Sequence, residues 1–419
     1  MLEIQALALR RPSRFGGAMR ILLVTETLTV GGAETFVVRL ANALSMDHEV
    51  VIAVMHGEMT NPSLAAHIAA TVHVDQLRLP AKRLWFKFDN LLRRIGIDHS
   101  LIRSVQRRWL ANLIRRHSPD ILNSHLIKAD RLVTEARAAR PDARHIVTLH
   151  GDYAPFLSGQ SDPQMLNLER RMASIVDETD SIVAICGEHR AFISTRFPPA
   201  TDKTVLIYNG FAPWRDTHQV TAQVRRQKLV FGMASRGVRL KGWAKAIAAF
   251  GRLQPGSAEL ILIGEGAYLD ELRRGPLPAG VRFTGFSPHP VEWINNFDVG
   301  LLPSEFPHES LPTAVTEYLF CGKPVIATNV GEIAAMIRTP DGKLAGQLLD
   351  FDDRQISTEQ LAIAMQSYID DPELRARHAA LAPAAFAKFD MGECAAAYVR
   401  LYAEVAGVDA SSSSTSESH

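Results

Sequence analysis

Two glutamates, Glu309 and Glu317, lie in the segment PSEFPHESLPTAVTEYLFCGKPVIATNVGE, which has an apolar strand-like run on each side. We expect Ser310 to cap a helix that has Pro312 in its first turn and Glu317 in its second. Ionised carboxylates accept several hydrogen bonds from hydroxyl groups, so the pair suits a sugar or a ribose. Acidic residues favour helix N-termini in any case, which explains Glu309 better than Glu317.

The same carboxylates could instead be the acid and the nucleophile of a glycosidase. Eight helical steps separate two residues by about 12 Å along a helix axis, whereas glycosidase pairs work at about 5–10 Å. A hydrolase is therefore disfavoured. The free amides at the start of the helix, expected from Leu311 to Thr313, would favour an anion instead.

A second cluster, in GMASRGVRLKGWAKAIAAF, is basic. Arg236 follows a strand-like run, and Lys241 stands at the start of the next helical pattern. An arginine fork and a lysine point charge together suit a diphosphate. Because Arg239 lies in the same loop, a solvated basic loop is the alternative.

Two strand ends in the first half of the chain carry further candidates. Gly31 and Gly32 precede an amphipathic helix, where glycines let the backbone approach a ligand and the helix N-terminus favours an anion. The segment matches neither GxGxxG nor a P-loop, and a tight turn is the alternative. His150, with Gly151, ends the run HIVTLHG and could donate to a sugar hydroxyl or orient an acceptor; its alternative is a structural hydrogen bond.

Composition and spacing exclude several classes of protein. The chain is 47% hydrophobic and 22% charged with a net charge of +1, so no strong field suggests nucleic acid as a partner. The three cysteines form no CxxC motif and are expected to be reduced thiols. No pair of histidines has metal-ligand spacing and no Asp-x-Asp ends a strand, so we expect no metal site.

Apolar β-branched runs alternate with helical patterns along the 419 residues, which predicts an α/β protein with two doubly wound parallel sheets. Ligands bind such sheets at the carboxyl ends of the strands, where all four clusters stand. The strands are predicted at 20–26, 49–55, 121–125, 145–151, 181–186, 204–210, 228–235, 258–266, 281–286, 297–304, 323–329 and 346–351.

The predicted domain organisation has a disordered extension at 1–18, or a misassigned start, and a disordered tail at 408–419. An N-terminal domain at 19–210, a C-terminal domain at 211–390 and a final helix at 391–407 lie between them. The N-terminus lacks a signal-peptide pattern, and no segment reaches the roughly 20 apolar residues of a membrane helix. We therefore expect a soluble, cytoplasmic protein.

Taken together, these motifs resemble the retaining glycosyltransferases of the GT-B fold, in particular glycosyltransferase family 4, over almost the whole chain from Met19. The most specific element is E-x7-E, matched by Glu309 and Glu317 with the continuation EYLFCGKPVIATNVGEIAAMI. Arg236 and Lys241 match the R-x4-K step of the family. The acidic residue that usually precedes this lysine is Leu240 here.

The resemblance implies two Rossmann-like domains facing across a cleft, with the C-terminal helix crossing back to the N-terminal domain. It implies a nucleoside-diphosphate sugar donor, linked to UDP or GDP, and transfer with retention and without metal or cofactor. Glu309 would contact the donor sugar and Glu317 the ribose. The implied catalytic set is Glu309, Arg236, Lys241 and His150, and the substrate-binding set is Gly31, Gly32, Gly264, Glu265, Ser310, Leu311, Pro312, Thr313 and Glu317.

The acceptor side of the resemblance falls in the N-terminal domain, where residues 82–116 are basic and interleaved with aromatic residues. Such a stretch can lie on anionic lipid, which suits a lipid-linked glycan on the inner face of the plasma membrane. A core-packed helix pair with a solvated basic face is the alternative. Surface polysaccharide or lipopolysaccharide synthesis is the expected process. A sugar-nucleotide epimerase and a non-catalytic glycan-binding subunit are the rival functions.

Overall fold

The computed structural model describes residues 17–29, 31–79, 100–151, 163–214, 228–307, 309–352 and 355–407, with the backbone alone at 163–170. Most of the predicted extension 1–18, the first part of the basic segment (82–99) and the tail 408–419 lie outside these residues. Described residues form two parallel sheets flanked by helices, which confirms the predicted α/β class.

The first sheet has seven strands in the order β3-β2-β1-β4-β5-β6-β7. Its order reverses between the neighbours β1 and β4, as in a doubly wound fold. The residues of β1 from Ile21 to Val24 are all buried, because helices cover both faces of the sheet. The strands are β1 (Arg20–Thr25), β2 (Glu49–Val54), β3 (His73–Gln76), β4 (Ile121–His125), β5 (Arg144–Thr148), β6 (Ser181–Ala184) and β7 (Thr204–Leu206). The helices in this part of the chain are α1 (Gly32–Leu44), α2 (Pro62–Ala66), α3 (Leu101–His117), α4 (Ile127–Ala136), α5 (Pro163–Glu178) and α6 (Gly187–Arg196).

The second sheet has six strands in the order β10-β9-β8-β11-β12-β13, with its reversal between β8 and β11. Adjacent residues of β8 belong to two different hydrophobic clusters, Val230 to one and Phe231 to the other, so this sheet is also covered on both faces. The strands are β8 (Leu229–Ala234), β9 (Ala258–Ile263), β10 (Val281–Gly285), β11 (Val299–Leu302), β12 (Val325–Thr328) and β13 (Gly346–Leu349). The helices are α7 (Trp243–Phe250), α8 (Ala267–Arg274), α9 (Pro290–Ile294), α10 (Thr313–Phe320), α11 (Ile333–Met336), α12 (Thr358–Asp370), α13 (Pro372–Phe386) and α14 (Met391–Ala406).

The chain divides into two compact units. The first unit comprises the residues up to Leu149, Leu166–Val183 and those from Ala395 onward, and the second comprises His150–Met165 and Ala184–Cys394. Helix α14 therefore begins in the second unit and ends in the first, as predicted for a crossover helix. The boundaries expected at residues 210 and 390 stay predictions.

Candidate functional site

The buried carboxylate of Glu309 is the centre of the charged cluster in the second unit. It follows β11, and it accepts hydrogen bonds at Oε1 from Lys241 Nζ and from Ser304 Oγ, both at 2.5 Å. The side chain of Lys241 is 14% exposed, and its ammonium lies 5.8 Å from the centroid of the Phe306 ring. The structure thus brings together two predicted residues, Lys241 and Glu309, that are 68 positions apart in the chain.

The backbone of Glu309 is fixed from the loop after β12. Its carbonyl oxygen accepts from the amide of Glu332 at 3.0 Å. Gly331, which precedes Glu332 in the chain, has a φ of +52°. A Cβ atom at this position would collide with the carbonyl oxygen of Glu309. Glycine is needed at this position both for its backbone conformation and for the close approach.

The predicted N-cap at Ser310 is wrong, because α10 begins at Thr313 and Pro312 occupies the N-cap position without a side-chain hydrogen bond. Proline fixes φ at −66° and its ψ of 114° is extended, so the chain enters the helix two residues later than expected. The free amides of the first turn therefore start at Thr313 rather than at Leu311. The hydroxyl of Ser310 instead donates to the carbonyl oxygen of Gly151 at 3.2 Å.

Helix α10, which carries the half-buried Glu317, is fixed by the buried Tyr318. Its hydroxyl accepts from the amide of Ala234 at 2.8 Å and donates to the carbonyl oxygen of Leu301 at 3.1 Å. Burial raises the pKa of Tyr318 above its ordinary value, so the hydroxyl keeps its proton and can make both bonds. The helix is thereby tied to the ends of β8 and β11.

The two arginines of the loop after β8 have different surroundings. Arg236 is exposed, and its carbonyl oxygen accepts from Val238 N at 2.8 Å and from Trp243 Nε1 at 2.9 Å. The guanidinium of Arg239 pairs with Glu271 at 2.6 Å and lies 4.4 Å from the Tyr268 ring centroid. A uniformly solvated basic loop does not describe this segment, because Lys241 is largely buried.

Gly264 and Glu265 follow β9 and lie beside this loop. The carbonyl oxygen of Glu265 accepts from Gly237 N at 2.9 Å, and Gly264 is buried close to the carbonyl oxygen of Ser235. The side chain of Glu265 is exposed. The backbone of the predicted nucleotide-base segment therefore lies next to the predicted diphosphate loop.

His150 is buried at the end of the run that contains β5, and it too belongs to the second unit. The carbonyl oxygen of Gly151, beside it, accepts from Ser310 Oγ and from His189 Nε2, the latter at 2.8 Å. Since a carbonyl can only accept, His189 carries its proton on Nε2. The segment with His150 is thus tied to the segment that precedes α10.

In the first unit, Gly31 and Gly32 stand at the start of α1, and Gly31 has an extended backbone with a φ of −142°. The predicted alternative of a turn chosen for its backbone angles does not explain this residue. Instead, a Cβ at Gly31 would collide with the carboxylate of Glu34. The buried Glu34 accepts at Oε1 from the hydroxyls of Thr27 at 2.9 Å and of Thr29 at 3.1 Å.

Two contributors to the site of the second unit, Ser304 and Glu332, were not among the predicted residues. The carboxylate of Glu332 accepts from Gly187 N at 2.9 Å, at the start of α6, and from the Tyr208 hydroxyl at 2.6 Å. Burial raises the pKa of Tyr208, and the neighbouring carboxylate of Glu332 adds to the shift. Both residues have ordinary types for loops, and the partners that reveal their roles are remote in the chain.

Two family models match the chain, one over the part that contains most of the first sheet and one over the part that contains the second sheet. Residues 30–215 match the family described as Glycosyltransferase Family 4, and residues 228–371 match Glycosyl transferases group 1. Together these matches span most of the chain. No curated protein matches the sequence significantly.

Several solved structures are similar over nearly the whole chain. HepE of Anabaena in complex with UDP is 18% identical with a TM-score of 0.71, over 92% of this chain and 100% of HepE. A glycosyltransferase of Rickettsia africae is 15% identical with a TM-score of 0.72, over 92% of this chain and 98% of that one. The lipopolysaccharide outer core galactosyltransferase WaaB is 15% identical with a TM-score of 0.63, over 91% and 99% of the two chains. Likeness at these identities establishes a shared fold.

Proposed function

Because the chain belongs to the glycosyltransferases of family 4 and group 1, with the GT-B fold, we propose that it transfers a sugar from a nucleoside-diphosphate sugar with retention and without a metal ion. The observation that carries this proposal is the buried Glu309 with Lys241 and Ser304 on its carboxylate. A carboxylate that is held in place offers its remaining lone pairs to sugar hydroxyls. We propose a glycan or lipid-linked glycan as the acceptor, in surface polysaccharide or lipopolysaccharide synthesis.

In the proposed mechanism the protein stabilises the charge that develops on the leaving diphosphate. Lys241 and Arg236 supply cations, and the first amides of α10 supply oriented donors. Fixed donors of this kind need no reorganisation during the reaction and take the part that a metal ion has in other enzymes. Glu317 holds the ribose, and Gly264 and Glu265 border the base.

Retention follows if the acceptor attacks the face that the diphosphate leaves. The bond between the anomeric carbon and the phosphate oxygen breaks, and a bond from that carbon to the acceptor oxygen forms. The acceptor proton passes to a phosphate oxygen of the leaving diphosphate. No side chain is then needed as the general base, and His150 orients the sugar or the acceptor.

UDP is the preferred nucleotide in this proposal, with GDP as the alternative. HepE, which shares the fold, has been crystallised with UDP, with UDP and glucose, and with UDP-glucose. HepE is 18–20% identical to the chain.

We also propose that the protein contacts an anionic membrane peripherally through the basic segment 82–116, on the cytoplasmic face. Within the described part of this segment lies α3, which buries an apolar face that includes Leu110 and Ile114 in its own unit. Its exposed residues include Arg107, Arg108, Arg115 and Arg116. The contact of this helix would therefore be electrostatic and would weaken with salt. None of the described helices has the length and apolarity needed to cross a membrane.

The first test is a thermal-shift titration with UDP, GDP and their common sugar conjugates. A saturable rise in the unfolding temperature with one nucleotide, weakened in Glu317→Ala and in Arg236→Ala, supports the donor site. Arg239→Ala is the matched control, because the guanidinium of Arg239 is held by Glu271. The affinity of this variant for the nucleotide should equal that of the wild type. No shift with any nucleotide would contradict the donor site.

Product analysis then separates the rival functions. A sugar transferred to an acceptor with its anomeric configuration kept supports the proposal, while an inverted product contradicts retention. An isomerised nucleotide sugar would identify an epimerase. Glycan binding without turnover would identify a non-catalytic subunit. Activity that survives a strong chelator supports a reaction without a metal ion, and activity lost to chelation contradicts it.

A further inference from the structure

Three residues with metal-binding side chains meet on the first unit, outside the site described above. They are His73 and Asp75 on β3 and His117 at the end of α3, and their ligand atoms all lie within 4.8 Å of one another. Because His117 is 42 positions from Asp75 in the chain, the spacing of the histidines in the sequence did not indicate a metal site here. Within the described part of the chain, this is the one such group of three.

The histidines converge on one carboxylate oxygen. The Nε2 atoms of His73 and His117 lie 3.2 Å and 2.9 Å from Asp75 Oδ2. A tetrahedral Zn²⁺ with ligand distances of about 2.0–2.2 Å places its donor atoms about 3.3–3.6 Å apart. Each histidine therefore needs to move from the carboxylate by only a few tenths of an ångström to admit the ion.

The surroundings leave this oxygen available. Arg116 approaches the other oxygen, Oδ1, at 3.8 Å, so a metal ion on Oδ2 does not have to displace it. The side chains of Asp75 and His117 are 20% and 22% exposed, and that of His73 is 61% exposed. Ligand atoms are thus held by packing on one side and open to solvent on the other, where water can complete the coordination.

Strand and helix geometry explain why these side chains meet. His73 and Asp75 are two residues apart on β3, so both point to the same face of the sheet. Strand β3 lies at the edge of the sheet. His117 is the last residue of α3, which places its ring beside that edge. Two rigid elements, rather than one loop, supply the ligands.

We propose that His73, Asp75 and His117 bind a divalent transition-metal ion, Zn²⁺ being the first candidate. Two imidazoles and one carboxylate match the preference of Zn²⁺ for nitrogen and oxygen ligands, with water as the fourth ligand. The ion connects β3 to the end of α3 and closes the intervening chain, which contains the whole of the basic segment 82–116. Such a clip stabilises the unit by restricting its unfolded chain. It belongs to a different unit from Glu309 and Lys241 and takes no part in sugar transfer.

Calorimetric titration of the full chain with Zn²⁺, after treatment with a chelator, is the test. We expect one ion per chain, and we expect Co²⁺ at the same site to give the intense visible absorption of a tetrahedral complex. His117→Ala and His73→Ala should each weaken binding by at least about tenfold, which is the loss caused even by changes in residues that only orient a ligand. His56→Ala is the matched control, because His56 lies in the same unit and pairs with Glu58, and this variant should bind Zn²⁺ as the wild type does.

Zn²⁺ should also raise the thermal unfolding temperature of the wild type and of His56→Ala, but not that of His117→Ala. Absence of binding by the folded wild type would overturn the proposal. So would binding that is unchanged in a folded His73→Ala/His117→Ala double variant. Both readouts are independent of glycosyltransferase activity, so a failed nucleotide titration leaves this test intact.

Discussion

At the scale of the residue, the candidate site depends on one buried carboxylate and the two donors that hold it. Glu309 has Lys241 and Ser304 on the same oxygen, so its other oxygen is available for a substrate hydroxyl. A buried charge that loses its partner is strongly destabilising. The pair therefore serves both the stability of the loop and the binding of the donor.

Replacing Lys241 by methionine should lower the rate of sugar transfer by about 100-fold or more, as loss of one preorganised donor does in other enzymes. The variant removes a cation from the proposed diphosphate site and leaves Glu309 without its ion pair. Steady-state kinetics with the donor identified by titration measures the loss. Arg239→Met removes an exposed cation two positions earlier and should change the rate by less than about twofold. Equal losses in both variants would show that only the charge of the loop matters.

A buried histidine makes the first unit sensitive to acid. Burial lowers the pKa of His125 to about 3, so the folded state keeps it neutral while the unfolded chain takes up a proton below about pH 6.5. The contribution of neutral His125 to the free energy of unfolding is therefore fully present above about pH 6.5, and it is lost as the pH falls toward 3. From pH 7 to pH 5 this residue alone should cost about 2 kcal/mol. Denaturant unfolding of wild type and His125→Gln at both pH values should show a smaller loss in the variant; parallel losses would exclude His125 as the cause.

At the scale of the element, the twelve predicted strands are all present, and each of their ends lies within four residues of the predicted position. Long apolar runs such as those of β1 and β9 are unambiguous because both faces of a parallel sheet are buried. Strand β3 was missed because its sequence, HVDQ, is short and polar, and the edge of a sheet tolerates such a strand.

The predicted start of α10 was wrong because residue type alone does not fix where a helix begins. Ser310 has the right residue type for a cap, but Pro312 determines the entry of the chain into the helix. The pairs that complete the site, Lys241 with Glu309 and Gly187 with Glu332, are 68 and 145 positions apart. Local patterns contain no information about such pairs. The family resemblance supplied Lys241 and Glu309, but it supplied neither Gly187 nor Glu332.

Loss of the Tyr318 hydroxyl should loosen α10. In Tyr318→Phe the buried amide of Ala234 loses its acceptor, so the free energy of unfolding should fall by about 1–3 kcal/mol. The affinity for the nucleotide should fall as well, because α10 carries Glu317 and the first-turn amides. Denaturant unfolding and nucleotide titration measure the two effects. Tyr268→Phe, which keeps the ring beneath Arg239, is the control and should alter neither.

At the scale of the whole molecule, α14 completes the first unit from the far end of the chain. The buried hydroxyl of Tyr402 donates to Asn123 Oδ1 at 2.8 Å, and that of Tyr398 lies 3.2 Å from Thr148 Oγ1. Asn123 Nδ2 in turn donates to Thr148 Oγ1 at 3.0 Å. This buried network joins β4 to a residue 279 positions later and β5 to a residue 250 positions later.

A chain that ends at Asp390 should therefore lose structure in its first unit, although it keeps every strand of both sheets. Without α14 the amide of Asn123 and the hydroxyl of Thr148 lose buried partners, and the face of Phe36 that packs on Tyr398 is uncovered. Hydrogen exchange should show lost protection in β4 and β5 while β8 and β11 stay protected. A chain that ends at Gly407 lacks only the serine-rich tail and should exchange as the full chain does. Equal protection of β4 in both truncated chains would mean that the first unit folds without α14. Simultaneous loss in both sheets would mean that the two units unfold as one cooperative body, with α14 as the element that couples them.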